Sequence, residues 1–227
     1  VENSSFDDSK DGVFHIDFKT LERKLVISLQ DLSQISKAAI QNQEQWVNHL
    51  MISPNGKKMM FLHRWLDNGV KKDALYVADI DGSALKCLSN EGMVSHCFWE
   101  NNEQIIAYLR RQEKGDQYYR VHIESGSIKA LPLPKTQVFG DGHPNVYKQW
   151  MLFDSYPDRS GMKKLWIFNL ETNLLKELAS FYEPLKYYAE SRCDLHPRFS
   201  MDGKRVFFDS VHENKRRLYY MNMEENI

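Results

Sequence analysis

Residues 193–210, CDLHPRFSMDGKRVFFDS, with YYMNM at 219–223, contain in one stretch the unit that decides the fold. A histidine comes first, then a Ser-Met-Asp-Gly turn at 200–203, an apolar run, and a strand rich in aromatic residues. The same order recurs upstream. VNHLMISPNG (47–56), VSHCFWENNE (94–103), DGHPNVYKQW (141–150) and DLHPRFSMDG (194–203) align His49, His96, His143 and His196, with intervals of 47, 47 and 53 residues. A period of this size marks a repeat protein, commonly one propeller blade per repeat.

A second register supports the first. FHIDF (14–18), YVADI (76–80), YRVHI (119–123), WIFNL (166–170) and YYMNM (219–223) each place an aromatic residue three positions before Asp, His or Asn. Turn residues follow, such as Asp81-Gly82, Ser125-Gly126, Glu171-Thr172-Asn173 and Glu224-Glu225-Asn226, which is a hairpin signal. Between each histidine and its aromatic strand lies another strand: KKMMFLH, QIIAYLR, WMLFDS or RVFFDS. A fourth follows in LKCLS, IKALPL and LKELA. A repeated four-stranded antiparallel meander predicts an all-β chain, a β-propeller. The repeats divide it into the last two strands of a blade with a short helix (12–45), three blades (46–91, 92–135, 136–190) and a partial blade (191–227). The partial ends could pair to close a small ring, but they point first to the C-terminal part of a larger propeller. One helical stretch is expected, from Leu32 to Ile40, with Leu32, Ile35 and Ala39 on one face and Asp31 as cap.

Composition excludes several classes. A net charge of −1 and no basic run argue against nucleic acid as a partner. Apolar stretches such as Met59–Leu62 are too short to span a membrane. Three cysteines without a CxxC pair read as reduced thiols, hence a cytoplasmic compartment, or a periplasmic one if a signal segment lies upstream.

In such a blade the first strand is innermost, and each histidine is expected to open one. The ends of the second strands reach the same face, bringing His63, Arg64, Arg110, Arg111, Asp154, Asp209 and His212 toward it. Loops on one face of a rigid repeat scaffold are where function usually sits. Asp194 and His196, two apart on extended backbone, face one side, while Cys193 and Leu195 face the other. Carboxylate with imidazole suits Mn²⁺, Zn²⁺ or Fe²⁺. Each residue also has a plain structural reading. A strand-initial histidine often caps or packs, the arginines can be solvated loop charges, and Asp154 and Asp209 can cap turns. Tyr182, Tyr187 and Tyr188 could stack on a sugar ring or cover the sheet edge.

GDGHPNVYKQWMLFDSYPD and CDLHPRFSMDGKRVFFDSVHENKRRLYYMNM resemble the C-terminal blades of oligogalacturonate lyases, propellers related to TolB-like repeats. The resemblance runs from about His49 to Met223 and is most specific in HPRFSMDGKRVFFDS. It implies a seven-bladed propeller with manganese at the channel mouth, cleaving acidic oligosaccharides by β-elimination. It further implies that His143 and His196 bind the metal, that His96 is the proton-abstracting base, and that His49 and His63 lie near the site. The family has a Gln and a further His just ahead of its His-Pro pair, where this chain has Ser191 and Asp194. The expected roles are then His96 and Arg64 in catalysis, His143, Asp194 and His196 on a divalent metal, Mn²⁺ first, and His49, His63, Arg110, Asp154 and His212 on substrate. The other reading is a non-catalytic propeller that binds a glycan or protein partner in a polysaccharide-handling system.

Overall fold

The structure is a computed structural model describing residues 7–36, 43–134 and 140–223. It is all-β, built as propeller blades. Strands β1 (Gly12–Ile16) and β2 (Arg23–Ser28) form a pair, followed by helix α1 (Leu29–Ser36). Three four-stranded antiparallel sheets come next. The first has β3 (Gln45–Ile52), β4 (Lys58–Asp67), β5 (Val70–Asp79) and β6 (Lys86–Ser89). The second has β7 (Val94–Trp99), β8 (Gln104–Arg111), β9 (Gly115–His122) and β10 (Ile128–Ala130). The third has β11 (Asn145–Tyr147), β12 (Trp150–Asp154), β13 (Met162–Asn169) and β14 (Leu175–Tyr182). A three-stranded sheet of β15 (Arg198–Phe199), β16 (Arg205–Ser210) and β17 (Arg217–Asn222) ends the described chain. Each sheet is a meander in chain order. Among the described residues no helix is long and apolar enough to cross a membrane.

The second strands explain the blade architecture. A strand buried on both faces reads as an unbroken apolar run rather than an alternation. Met59, Met60, Phe61 and Leu62 are at most 2% exposed, and Met151, Leu152 and Phe153 at most 1%. Both faces of these sheets are therefore covered. Each such side chain contributes about 1.5–3 kcal/mol of burial.

The turns explain the period. Entering β4, the Ser53 hydroxyl accepts the Lys58 N–H at 2.9 Å and donates to Asn55 at 2.8 Å, while Gly56 takes φ +73°. Entering β16, the Ser200 hydroxyl accepts the Arg205 N–H at 3.0 Å and donates to Asp202 at 2.6 Å, with Gly203 at φ +72°. Glycine is favoured there because an L side chain rarely adopts that backbone. The residue three after each aromatic also acts locally. The Asn169 side chain accepts the Glu171 and Thr172 N–H groups at 3.0 and 2.9 Å. Asp17 does the same for Lys19 and Thr20 at 2.7 and 3.2 Å. Short polar side chains that bond the backbone ahead of them set the hairpins.

Two expectations need correction. Helix α1 starts three residues earlier than expected, and residues 37–40 of the expected helix, Ala39 among them, lie outside the described residues. Its buried side is Leu29, Leu32 and Ser36, whereas Ile35 is 39% exposed. Ser28 is the cap: its hydroxyl accepts the Asp31 N–H at 3.0 Å, and the Asp31 carboxylate accepts the Ser28 N–H at 3.0 Å. Asp31 is thus the third helical residue of a capping box. The second correction concerns His49, which lies inside β3 rather than at its start. There it occupies a bulge between Asn48 and Met51 at φ +55°.

The chain divides into two compact units, Val1–Ser95 with Arg110–Gly115 and Ile123–Gly126, and His96–Leu109 with Asp116–His122 and Ser127–Ile227. In the first, the core is built from Val13, Ile27, Leu29, Leu32, Met59, Phe61, Trp65 and Tyr76. In the second, the core is built from Leu152, Leu165, Ile167, Leu195, Val206, Phe208 and Met223.

Candidate metal centre

The second unit gathers His96, His143 and His196 into a row. The His96 and His143 ring centroids are 4.1 Å apart, and those of His143 and His196 are 4.0 Å apart. Local backbone requirements put them there. Asp-x-His-Pro occurs twice, at 141–144 and 194–197. Pro holds the preceding residue away from helical backbone. Gly142 is demanded by contact, because a Cβ there would sit 2.0 Å from the Asp154 carbonyl oxygen. His196 takes φ +43°, a left-handed conformation uncommon for a residue with a side chain. Strained backbone of this kind concentrates at functional sites.

Asp154 organises the centre from below. It is 2% exposed and ends β12. Its Oδ1 accepts the His143 backbone N–H at 2.6 Å and lies 3.0 Å from the ring Nδ1. Its Oδ2 accepts the His196 backbone N–H at 3.1 Å. This corrects the expectation that Asp154 meets substrate. It is an orienting carboxylate, and with Nδ1 held by it, His143 has Nε2 as its outward donor atom. Asp141 pairs in the same way with His96, Oδ1 to Nδ1 at 2.9 Å.

Donor atoms of His143, Asp194 and His196 all lie within 4.8 Å of one another, a geometry able to hold a metal ion. Asp194 differs from the histidines in having cationic partners. Arg192 Nε lies 2.9 Å from its Oδ1, and Arg192 Nη2 donates to Oδ2 at 2.9 Å. Lys163, 2% exposed, donates to Oδ1 at 3.2 Å, to the Cys193 carbonyl at 2.9 Å, and pairs with Glu183 at 2.8 Å. A carboxylate has about four lone-pair positions, so these three N–H contacts leave roughly one for a cation. The charge balance points the same way. Asp141, Asp154, Asp194 and Glu183 outnumber Lys163 and Arg192 by two, which a divalent ion would neutralise. The two imidazoles and Asp194 therefore fit a borderline or hard divalent metal.

Protonation follows the same partners. Burial opposes charge on His143, yet the Asp154 hydrogen bond and charge, helped by Asp194 and Asp141, raise its pKa above the ordinary value. His196 moves down, because burial and then the His143 charge disfavour a second proton. Burial would raise the Asp194 pKa, but Arg192 and Lys163 together pull it below the usual range.

The other expected site residues have their own surroundings. His63 is fully buried, its Nε2 2.8 Å from the Gln45 side-chain oxygen and its ring packed near Trp65 and Tyr76. That makes it a core histidine rather than a substrate contact. Arg64 Nε lies 2.8 Å from Asp73, which is 1% exposed, an ion pair within its own blade. His212 bonds the Ser210 hydroxyl at 2.8 Å and packs against Tyr219 and Phe181. His49 and Arg110 are exposed in the first unit. Ser191, where the family pattern has Gln, accepts the Tyr188 N–H at 3.1 Å and donates to its carbonyl at 2.9 Å, closing a turn. Asp141, Lys163, Glu183 and Arg192 are functional candidates that sequence reasoning missed. Only Asp141 left a signal, since it stands two before His143 as Asp194 stands two before His196.

No model of a protein family matches the sequence, and no curated protein matches it. Solved structures do. TolB from Acinetobacter baumannii is 20% identical with a TM-score of 0.62, over 94% of this chain and 46% of that one. An oligogalacturonate lyase in complex with manganese is 19% identical with a TM-score of 0.65, over 91% of this chain and 52% of that one. Puromycin hydrolase is 15% identical with a TM-score of 0.55, over 79% of this chain and 27% of that one. The chain spans about half the length of the first two. At these identities the likeness establishes the fold, and the fold is the β-propeller.

Proposed function

We propose that this chain forms part of a propeller that binds a divalent metal, Mn²⁺ by preference, and acts on an acidic oligosaccharide by β-elimination. The observation that carries this reading is the His143–Asp194–His196 donor set lying beside the Asp141–His96 pair. The oligogalacturonate lyase of similar fold, described as a complex with manganese, supports the choice of ion and substrate class.

His143, His196 and Asp194 would hold the ion, which when bound supplies Lewis acidity toward a uronate carboxylate. Asp141 on Nδ1 of His96 fixes the proton there and presents the Nε2 lone pair outward. That nitrogen is suited to take the proton from the carbon next to the carboxylate, with departure of the oxygen on the neighbouring carbon. Asp154 keeps His143 oriented throughout, and the buried Lys163–Glu183 pair keeps Asp194 in place.

The test is direct. Mn²⁺ titration should give one ion per chain, with His143→Ala abolishing it. Uronate oligomers should gain the ultraviolet absorbance of a C4–C5 double bond, and His96→Ala should slow this by about 10²–10⁴-fold. Absence of bound metal after Mn²⁺ supplementation would sink the reading. One observation favours a non-catalytic glycan- or protein-binding propeller instead: Asp194 is held by two cations where the lyase pattern has a neutral histidine. Binding of uronate oligomers with no product would select that alternative.

A further inference from the structure

The guanidinium of Arg192 is fixed more firmly than a surface arginine needs to be. Its Nε and Nη2 both donate to Asp194 Oδ2, at 3.1 and 2.9 Å, and Nε lies 2.9 Å from Oδ1. Its Cζ lies 4.4 Å from the centroid of the Tyr156 ring, and that ring meets His143 edge-on at 6.1 Å. The backbone is tied as well. The Arg192 carbonyl accepts Arg216 Nη2 at 2.8 Å, and its N–H donates to the Ala189 carbonyl at 3.2 Å. Asp194 is 10% exposed at the side chain, whereas Arg192 is 40% exposed. One edge of the fork therefore faces a buried acid while the rest of the group remains accessible beside the row of imidazoles.

A guanidinium has five N–H donors in a rigid plane, and two of them satisfy Asp194. The edge formed by Nη1 and the second Nη2 hydrogen is then geometrically suited to a second carboxylate, two parallel hydrogen bonds in the fork arrangement. Because the plane is already immobilised by an acid on one edge and an aromatic ring on one face, little side-chain freedom remains to be lost on binding. The arginine that sequence reasoning offered for chemistry, Arg64, forms an ion pair with Asp73.

We infer that Arg192 is the specificity-determining residue that selects a carboxylated sugar, taking the ligand's carboxylate on the guanidinium edge opposite Asp194. The inference rests on the acidic-oligosaccharide reading above and names the residue that enforces it.

Calorimetry on the Mn²⁺-supplemented full chain tests it, with trigalacturonate, its methyl ester and a neutral galactose trimer as probes. Wild type should bind the free acid about 10- to 100-fold more tightly than the ester, the range expected for a charge-assisted pair. Arg192→Met should lose that preference while binding the ester unchanged. Arg192→Lys, which keeps the charge without the fork, should fall between. Affinity for Mn²⁺ should hold or rise in both variants, because a competing cation leaves Asp194. A structural role alone would instead lower metal, acid and ester binding together, and that result overturns the inference. So does an Arg192→Met chain that keeps the preference for acid. If wild type binds no uronate in either form, the acidic-sugar reading falls and this inference with it. If wild type prefers acid and both Arg192 variants match it, only the inference falls.

Discussion

His63 and His143 are both enclosed histidines, one in each compact unit, and their surroundings drive them in opposite directions. His63 meets a side-chain amide oxygen and aromatic rings, and burial pushes its pKa down to about 4. His143 is also desolvated, but a buried carboxylate lies 3.0 Å from its Nδ1 and its pKa rises. Burial alone makes an imidazole inert packing, whereas burial against an anion makes one that binds protons or metals. The carboxylate beneath the ring, more than the histidine, separates a core from a centre.

The largest expected effect is on stability against pH. Between its ordinary pKa near 6.5 and about 4, His63 takes a proton in the unfolded chain but not in the folded one. Stability should therefore fall as pH drops through that window, by about 3 kcal/mol. Chemical denaturation of wild type and His63→Gln checks this, the variant showing the shallower slope. His143 has the reverse sign. With its folded pKa raised, its contribution is complete below the unfolded value and is lost as pH rises through the folded one, so His143→Gln should remove a slope of opposite direction in metal-free protein. Slopes of the same sign would break the comparison.

Next in size is the carboxylate itself. Asp154→Asn should weaken Mn²⁺ binding about 10- to 100-fold by calorimetry, as loss of an orienting partner does at metal-binding histidines. Nuclear magnetic resonance titration should show the His143 pKa falling, since the Asp154 hydrogen bond and charge are the main effects opposing burial there. An unchanged pKa would mean Asp154 is not the cause. The smallest effect tests where the two units are alike. Ser53→Ala and Ser200→Ala each remove the same hydroxyl from the same turn wiring. Each should cost about 1 kcal/mol of stability by chemical denaturation, equally in the two units.

The repeat was legible because its determinants are local. An unbroken apolar run, an aromatic residue followed by a turn-capping Asp or Asn, and a Ser-x-Asn/Asp-Gly corner all act within a few residues. His143 and His196 stood out through the histidine register and the family resemblance, and Asp194 through its place two before His196 on extended backbone. What stayed hidden depends on which strands become neighbours. Nothing local distinguishes Lys163 from Lys164, and only the fold brings Glu183 and Asp194 around Lys163. Asp154 reads as a turn cap until β12 places it under two histidines. His63 shows the opposite error. It closes the apolar run Met59–Leu62, and that continuity marked it for the interior more strongly than its chemistry marked it for a ligand.

The backbone at His196 bears on how this sequence can change. A residue with a side chain held at φ +43° gives up about 1–2 kcal/mol relative to glycine in the same conformation. Selection for stability alone would drift this position toward Gly or Asn. An imidazole there sets robustness against the candidate centre, so a His196→Gly redesign should gain melting temperature and give up one of the three candidate ligand atoms.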